Sequence, residues 1–495
     1  MQEGLGACCT SGKLPLFIFK KLNHIISPII CKLFNSSVLE GIFPAILKIA
    51  EVIPIFKTGN RSLILNYRQI SLLLELSKIF EKLFHVRLYS FVESFCILTK
   101  CQFGFRCNNS TSDAVLEFLD CCYKSLDNKK YLVAIFLDLA KAFDTVDHLI
   151  LKDKLFHIGV RGVSLQWIYS FLTERQQYVS INSVSSANKR VIMGVPQGSV
   201  LGPLLFLIYI NDMSNSCSFF QFVHFADDTT LFVNDSDITR LMDRTNNELS
   251  KVNKWLECNK LSLNVEKTKY MIFSNREIPI NLNLKLSNHD LIRVSETKFL
   301  GIIIDDRLSF RSHMSSICSR LRRTIGVIYR LNSFIPSSVA VLLYFSRFHS
   351  LLCYGILAWG ASGSTNIHRI IRLQDRIVGL LPHSVGSSNY LTYSILDFRN
   401  LYKYFSSVKF YNSHKLGYHQ YFAQNVVNLI PNHYYPTRNR LAECINIPQY
   451  RLSKCHQSFF YNACSIWNSV PKNIRDLESI VEFKREYKKF LLNNL

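Results

Sequence analysis

Apolar residues recur along this chain with two periods, and the switches between them mark its elements. Positions 23–34 carry them at helical spacing, within a helical lead-in over residues 1–40 that Gly41-Ile42-Phe43-Pro44 ends. Positions 50–56 read as a short strand. The Gly-Asn of Lys57-Thr58-Gly59-Asn60 makes a turn, and 67–72 is a second strand. Over 76–91 the spacing predicts a helix with Leu76, Ile79, Leu83 and Val86 on its buried face. Leu132-Val133-Ala134-Ile135-Phe136-Leu137 is an apolar strand that closes on Asp138. Helices follow from about 147 and over 165–172, and 178–192 alternates as a hairpin does. Gly194-Val195-Pro196-Gln197-Gly198-Ser199 is a loop that opens an apolar helix through Ile210. Then come a hairpin at Asp227-Asp228, a helix over 238–258, and strands at 269–273 and 298–304. From about Phe310 helices dominate, at 316–331, 339–354 and 367–381. The stretch past 390 is aromatic and basic, without a repeat. The expected class is α/β (α+β).

Phe225-Ala226-Asp227-Asp228 sets two carboxylates between apolar runs. Strands alternate their faces, so a chain that presents both acids to one site must turn between them. Asp138, at the end of its own strand, fits the same picture. Three acids at the ends of neighbouring strands repel unless cations neutralise them. That is the electrostatic logic of a two-metal phosphoryl-transfer site, with ions about 3.5–4 Å apart.

Composition narrows the partners. Fifty-eight Lys+Arg against 36 Asp+Glu leave +22, and a folded chain with 13% aromatics and that charge fits a polyanion such as nucleic acid. The 15 cysteines include no C-x-x-C pair, which excludes a zinc ribbon or knuckle and suggests mostly reduced core residues. The longest apolar run, 203–210, is far short of the ~20 residues a bilayer needs, so no membrane partner is expected. The N-terminus lacks the basic and apolar regions of a signal peptide, which points to nucleus or cytoplasm and not to secretion.

In order along the chain, several motifs share one likeness. Ala134-Ile135-Phe136-Leu137-Asp138-Leu139-Ala140-Lys141-Ala142-Phe143-Asp144, the Gly194 to Ser199 loop and Phe225-Ala226-Asp227-Asp228 resemble the catalytic motifs of reverse transcriptases. Their wording is similar to non-LTR retrotransposons (LINE elements), in particular the jockey-like group. Flanking stretches agree: Pro54-Ile55-Phe56-Lys57, Asn66-Tyr67-Arg68-Gln69-Ile70-Ser71, Gln102-Phe103-Gly104-Phe105-Arg106, Asn264-Val265-Glu266-Lys267-Thr268-Lys269 and Phe299-Leu300-Gly301. So do Tyr354 to Gly360, Leu373-Gln374-Asp375-Arg376, Thr437-Arg438 and Trp467-Asn468-Ser469-Val470-Pro471. The resemblance implies a right-hand polymerase: fingers and a ferredoxin-like palm over 41–308, a helical thumb over 309–390, and a basic aromatic extension over 391–495.

It also implies roles. Asp138, Asp227 and Asp228 would hold two Mg²⁺ ions, with Mn²⁺ as a substitute, and Lys267 would protonate pyrophosphate, with Lys269 competing for that role. Lys57 and Arg68 would clamp the triphosphate, and Gln197-Gly198 would contact the incoming nucleotide. The Phe143 ring would exclude a ribose 2′-hydroxyl. RNA template, DNA primer and dNTPs would be the partners. Arg320, Arg322 and Arg323 cluster, and Arg369, Arg372 and Arg376 fall at i, i+3, i+7 on one helix face. These six would track the phosphate backbone; a solvated basic face is the plain alternative.

Departures matter too. The family usually reads Arg-Pro-Ile-Ser where this chain has Arg68-Gln69-Ile70-Ser71, and Leu47 stands where tryptophan is common. The endonuclease domain that precedes such polymerases is expected to be missing here, because Met1 lies almost at the first polymerase motif. Two rivals stay open. An inactive or domesticated remnant that binds RNA or DNA would fit these departures, whereas the intact acids fit an enzyme. A viral RNA-dependent RNA polymerase shares an Asp-Asp palm, but Phe143 and the Phe-Ala before the acids speak against it.

Overall fold

A computed structural model describes residues 16–279, 282–286, 289–382, 388–418, 420–429 and 444–494. Thr437 and Arg438 lie outside the described residues. The chain divides into two compact units. One comprises Met1–Phe105, Leu137–Ser218 and Glu248–Val265; the other comprises Arg106–Phe136, Phe219–Asn247 and Glu266–Leu495.

In the first unit, Ile49–Phe56 pairs antiparallel with Tyr67–Leu72 and parallel with Arg175–Ile181. The last of these turns back antiparallel onto Lys189–Val191, which is the hairpin the alternation predicts. Helices Asn23–Glu40, Glu75–Ser94 and Gly162–Leu172 meet around Trp167. Its indole stacks on Phe84 at 4.3 Å and receives the edges of Phe34 and Phe43, while Nε1 donates to Ser37 Oγ at 2.8 Å. A buried indole needs such a partner for its N–H. This cluster corrects one expectation. The buried face of Glu75–Ser94 is Ser77, Phe80, Glu81, Phe84, Leu88 and Val92, whereas Val86 of the predicted face is 58% exposed. The helix has apolar residues on two faces, and the one carrying two phenylalanines removes more apolar area from water by facing the indole. Gly202–Ile210 is apolar all round and accordingly buried.

In the second unit, five strands run in the order Ile292–Arg293, Lys269–Phe273, Tyr131–Leu137, Asp228–Asp235, Gln221–Phe225. Helix Thr111–Asp127 starts at a Ser110–Asp113 capping box and lays Phe118 against this sheet. The Phe118 ring is fully buried, with the rings of Phe136, Phe232, Phe273 and Phe299 all within 6.0 Å. The single strand expected over 298–304 is instead a hairpin, Glu296–Phe299 with Ile302–Asp305. Leu300 and Gly301 both have positive φ, the signature of a tight hairpin turn. Tyr354 Oη donates to Leu300 O at 2.7 Å, and its ring stands where a Gly301 side chain would go.

Helices Arg311–Leu331 and Ser364–Leu380 correspond to two of the three helices predicted past Phe310. The continuous helix expected over 339–354 passes through a π-helical turn, Tyr344–His349, where Tyr344 is buried and Gln374 Nε2 donates to its hydroxyl at 3.2 Å. Among the described cysteines none is in a disulfide; five are buried and four exposed, so fewer are core residues than expected. No described helix is long and apolar enough to cross a membrane.

Helices Phe398–His414, Phe459–Ser469 and Ile480–Asn493 pack around Phe410, Tyr411, Trp467 and Phe483. Elements of this C-terminal stretch grip the polar side of Thr111–Asp127. Lys409 pairs with Asp113, the Tyr421 hydroxyl donates to Asp120, and Asp127 Oδ1 accepts the Arg451 and Leu452 N–H groups at 2.7 and 2.9 Å. Glu117 lies among these acids. Burial, then Asp120 and Asp113, push its pKa up to about 8. A carboxyl whose folded pKa exceeds its unfolded value binds a proton on folding, so its contribution to stability falls as pH rises between about 4.5 and 8. Glu117→Gln is therefore expected to stabilise the chain relative to the native at pH 8 and to leave it unchanged near pH 4.5. Urea denaturation at the two pH values checks this.

Candidate active site

In the second unit, Gln221–Phe225 and Asp228–Asp235 pair antiparallel with Phe225 opposite Asp228, so Ala226 and Asp227 alone form the turn. Ala226 has φ +58°, the left-handed backbone that two-residue hairpin turns require at their first central position. That conformation costs a residue with a Cβ about 1–2 kcal/mol. The turn leaves Asp227 and Asp228 both exposed, next to strands whose central residues, 222–224 and 229–233, are buried. His224 is buried in the same hairpin with Nδ1 2.9 Å from Thr229 Oγ1. Burial pushes its pKa down to about 4, so it brings no positive charge to the element carrying the acids. In the sheet order Asp228–Asp235 lies beside Tyr131–Leu137, and the next residue along the chain is Asp138.

In the first unit, Asp138 is half-buried, and its carbonyl accepts the Asn264 N–H at 2.8 Å. The loop at Gln197 is tied to the segment that follows. The Val195 N–H donates to Phe143 O, the Gly194 N–H to Val146 O, and Gln197 Nε2 to Asp144 Oδ1, each at 2.8 Å. Gln197 O accepts the Ser71 N–H, also at 2.8 Å, which joins the loop to the strand Tyr67–Leu72. Gly198 makes that approach possible: its φ is +116°, and a Cβ there would stand 2.6 Å from Ser71 O. Burial pushes the Asp144 carboxyl up, against the pull of the Gln197 bond and the Lys141 charge. Phe143 is half-buried and stacks on Phe206 at 4.4 Å, with Phe105 edge-on at 6.5 Å. Gln69, Ser71, Asp144, Arg175 and Gln197 line a cavity of about 150 Å³.

Lys57 and Arg68 are exposed on the hairpin of Ile49–Phe56 and Tyr67–Leu72. Ile55 stands opposite Arg68, and the Lys57 N–H donates to Asn66 O at 2.8 Å, so the two basic residues are diagonal neighbours on one face.

The model of the reverse transcriptase (RNA-dependent DNA polymerase) family matches residues 55–304, a span that takes in Lys57, Arg68, all three acids, Gln197 and Lys267. The chain belongs to the reverse transcriptase family. It is 31% identical over 358 residues to the RNA-directed DNA polymerase from mobile element jockey of Drosophila melanogaster, covering 70% of this chain and 38% of that protein. With the probable RNA-directed DNA polymerase from transposon BS of the same organism, identity is 30% over 359 residues, covering 70% and 39%. The chain thus spans about two-fifths of the length of these curated relatives. Apo telomerase from Candida tropicalis aligns over 73% of this chain and 67% of its own at 13% identity, with a TM-score of 0.40. Membership of the reverse transcriptase family makes the mixed α/β architecture that of a right-hand polymerase.

Reverse transcriptases are divalent-metal-dependent polymerases. Among the described residues, no three His, Cys, Asp or Glu side chains gather closely enough to cage a metal on their own. Exposed hard-oxygen carboxylates fit a different arrangement. Mg²⁺ takes one or two carboxylates and completes its shell with water and substrate phosphates, rather than with an all-protein cage.

Lys267 is exposed, beside the half-buried Lys269 that competes for its role. Arg320, Arg322 and Arg323 are exposed on Arg311–Leu331, and Arg369, Arg372 and Arg376 on Ser364–Leu380. Arg369 and Arg322 both act electrostatically on Cys318, so these two basic helices share a neighbourhood. Sequence reasoning missed Asp144, the partner of Gln197, and Glu81, whose carboxylate accepts two N–H groups from the far side of the loop. Asp144 could have been found as the acid ending the first catalytic motif. Glu81 carried no signal, because its helix was turned the wrong way.

Gly198→Ala is expected to destabilise the chain by about 1–3 kcal/mol, the cost of holding a Cβ in strained backbone. Gly326→Ala is the control. It lies in helix Arg311–Leu331 with nothing within 4 Å of an added Cβ, and should stabilise by up to about 1 kcal/mol. Thermal denaturation of the two variants side by side makes the comparison.

Proposed function

We propose that this chain is the RNA-directed DNA polymerase of a jockey-like non-LTR element, adding deoxynucleotides to a primer 3′-end along an RNA template. The observation that carries the reading is the two-residue turn at Ala226-Asp227, which presents two exposed carboxylates at the end of a buried hairpin. Asp138 and Asp227 would hold a pair of Mg²⁺ ions, which Mn²⁺ can replace, and Asp228 would support them. When bound, those ions activate the primer 3′-hydroxyl and neutralise the triphosphate.

The protein groups do the rest. Gln197 and the Gly198 backbone would receive the nucleotide, and Lys57 and Arg68 would grip the triphosphate, one as a point charge and the other as a planar fork. Lys267 would supply a proton to the leaving pyrophosphate. The Phe143 ring would meet a ribose 2′-hydroxyl. The thumb, residues 309–390, would run Arg320, Arg322, Arg323, Arg369, Arg372 and Arg376 along the template–primer backbone, with the extension over 391–495 behind it.

The test is extension of oligo(dT) on poly(rA) by the purified chain with dTTP and Mg²⁺. Extension that Asp227→Ala/Asp228→Ala abolishes supports the polymerase. Template–primer binding without any extension favours the inactive, nucleic-acid-binding remnant. In the active enzyme, Phe143→Ala should relax discrimination against ribonucleotides by roughly 10–200-fold, the effect of one pocket contact. Competition between dNTP and NTP reads that change.

A further inference from the structure

Glu81 is a fully buried carboxylate with no ionic partner at bonding distance among the described residues. It lies on the face of Glu75–Ser94 that the apolar pattern did not select. Burial pushes its pKa up, while the Leu201 and Val200 N–H groups, the Ser77 hydroxyl and the Arg175 charge pull it back. Its bonds are specific. Oε2 accepts the Val200 N–H at 2.7 Å and the Leu201 N–H at 3.2 Å, and Oε1 accepts the Ser77 hydroxyl at 3.0 Å. Val200 and Leu201 join the Gln197-Gly198 loop to the helix Gly202–Ile210, whose first N–H groups have no carbonyl partner within the helix.

The loop is therefore held on two sides. Phe143, Asp144, Val146 and Ser71 bind its front, from Gly194 to Gln197. Glu81 binds its back. Ser199 adds only short-range bonds, its hydroxyl donating to Pro196 O and accepting the N–H of Gly202 at the start of the helix. Leu201 is fully buried, so without Glu81 its N–H would have no acceptor in an apolar interior. Backbone left that way costs about 1–3 kcal/mol, and the loop would shift to regain a partner. Gln197 is three residues from Val200 and would move with it. Arg175 cannot substitute: its Nη1 donates to Phe171 O at 3.0 Å, and a guanidinium offers donors only.

We propose that Glu81 is the positioning residue of the Gln197-Gly198 loop and that it sets the affinity for the incoming deoxynucleotide without touching it. The inference rests on the polymerase reading above. It predicts a separation between binding and chemistry that loss of fold alone would not give.

The experiment is nucleotide titration of primer extension by Glu81→Leu and Glu81→Gln beside the native chain, with template–primer affinity and melting temperature measured in parallel. Glu81→Leu should raise the dNTP KM roughly tenfold or more, with kcat and template–primer Kd nearly unchanged. Glu81→Gln should recover most of the native KM, because its amide oxygen can accept both N–H groups while its nitrogen donates to Ser77. An unchanged KM with a reduced active fraction in Glu81→Leu would overturn the proposal and leave Glu81 a support of the fold alone. Equal defects in the Gln and Leu variants would overturn it as well. A native chain that extends no primer overturns the polymerase reading itself. That outcome is distinct from a working native enzyme whose KM is indifferent to Glu81.

Discussion

Consecutive carboxylates at the tip of a buried hairpin are the constraint to which the rest of the palm answers. Two like charges on adjacent residues repel, the more so the less water screens them. The hairpin does nothing to hide them: Asp227 and Asp228 are exposed, and the imidazole of His224 in the same element is kept uncharged by burial. A left-handed alanine adds strain to the turn that presents them. Strain and repulsion persist at one place because the strands on either side are deeply packed, with Phe232 among the rings around Phe118. Strained backbone of this kind collects at sites that meet ligands.

In the first unit, the loop at Gln197 is built from backbone rather than charge. The Gln197 loop runs against two other chain segments at separations that only glycine allows, and several of its N–H and C=O groups are spent on fixed partners. Such a loop is organised before any substrate arrives. Its side-chain anchors, Asp144 and Glu81, are both carboxyls whose burial raises their pKa. The acids at these two places thus differ: those of the hairpin turn are exposed, whereas Asp144 and Glu81 hold the loop, one through a side-chain amide and the other through two backbone N–H groups.

Much of this was legible in the sequence, and the exceptions have physical reasons. The strand before Asp138, the hairpin at Asp227 and the loop before the apolar helix are short-range patterns, carried by runs of apolar residues and by glycine. The face of Glu75–Ser94 was not, because Leu83 and Phe84 are equally apolar and only Trp167, far along the chain, decides between them. The hairpin at 296–305 read as one strand, since Leu300 gives no hint that it will adopt positive φ. The grip of the C-terminal stretch on Thr111–Asp127 joins residues such as Asp120 and Tyr421, 301 positions apart, beyond any local pattern. Charge was legible as an amount, +22, and the placement of the basic side chains came only with the helices.

The most direct measurement is anomalous diffraction from crystals of the chain with Mn²⁺, a template–primer and a non-reactive dNTP analogue. Two manganese peaks about 3.5–4 Å apart, both bound by Asp138 and Asp227 and bridged by the triphosphate, are expected. Manganese bound elsewhere, or held by the hairpin acids with Asp138 turned away, would contradict the assignment of these carboxylates to a shared two-metal centre.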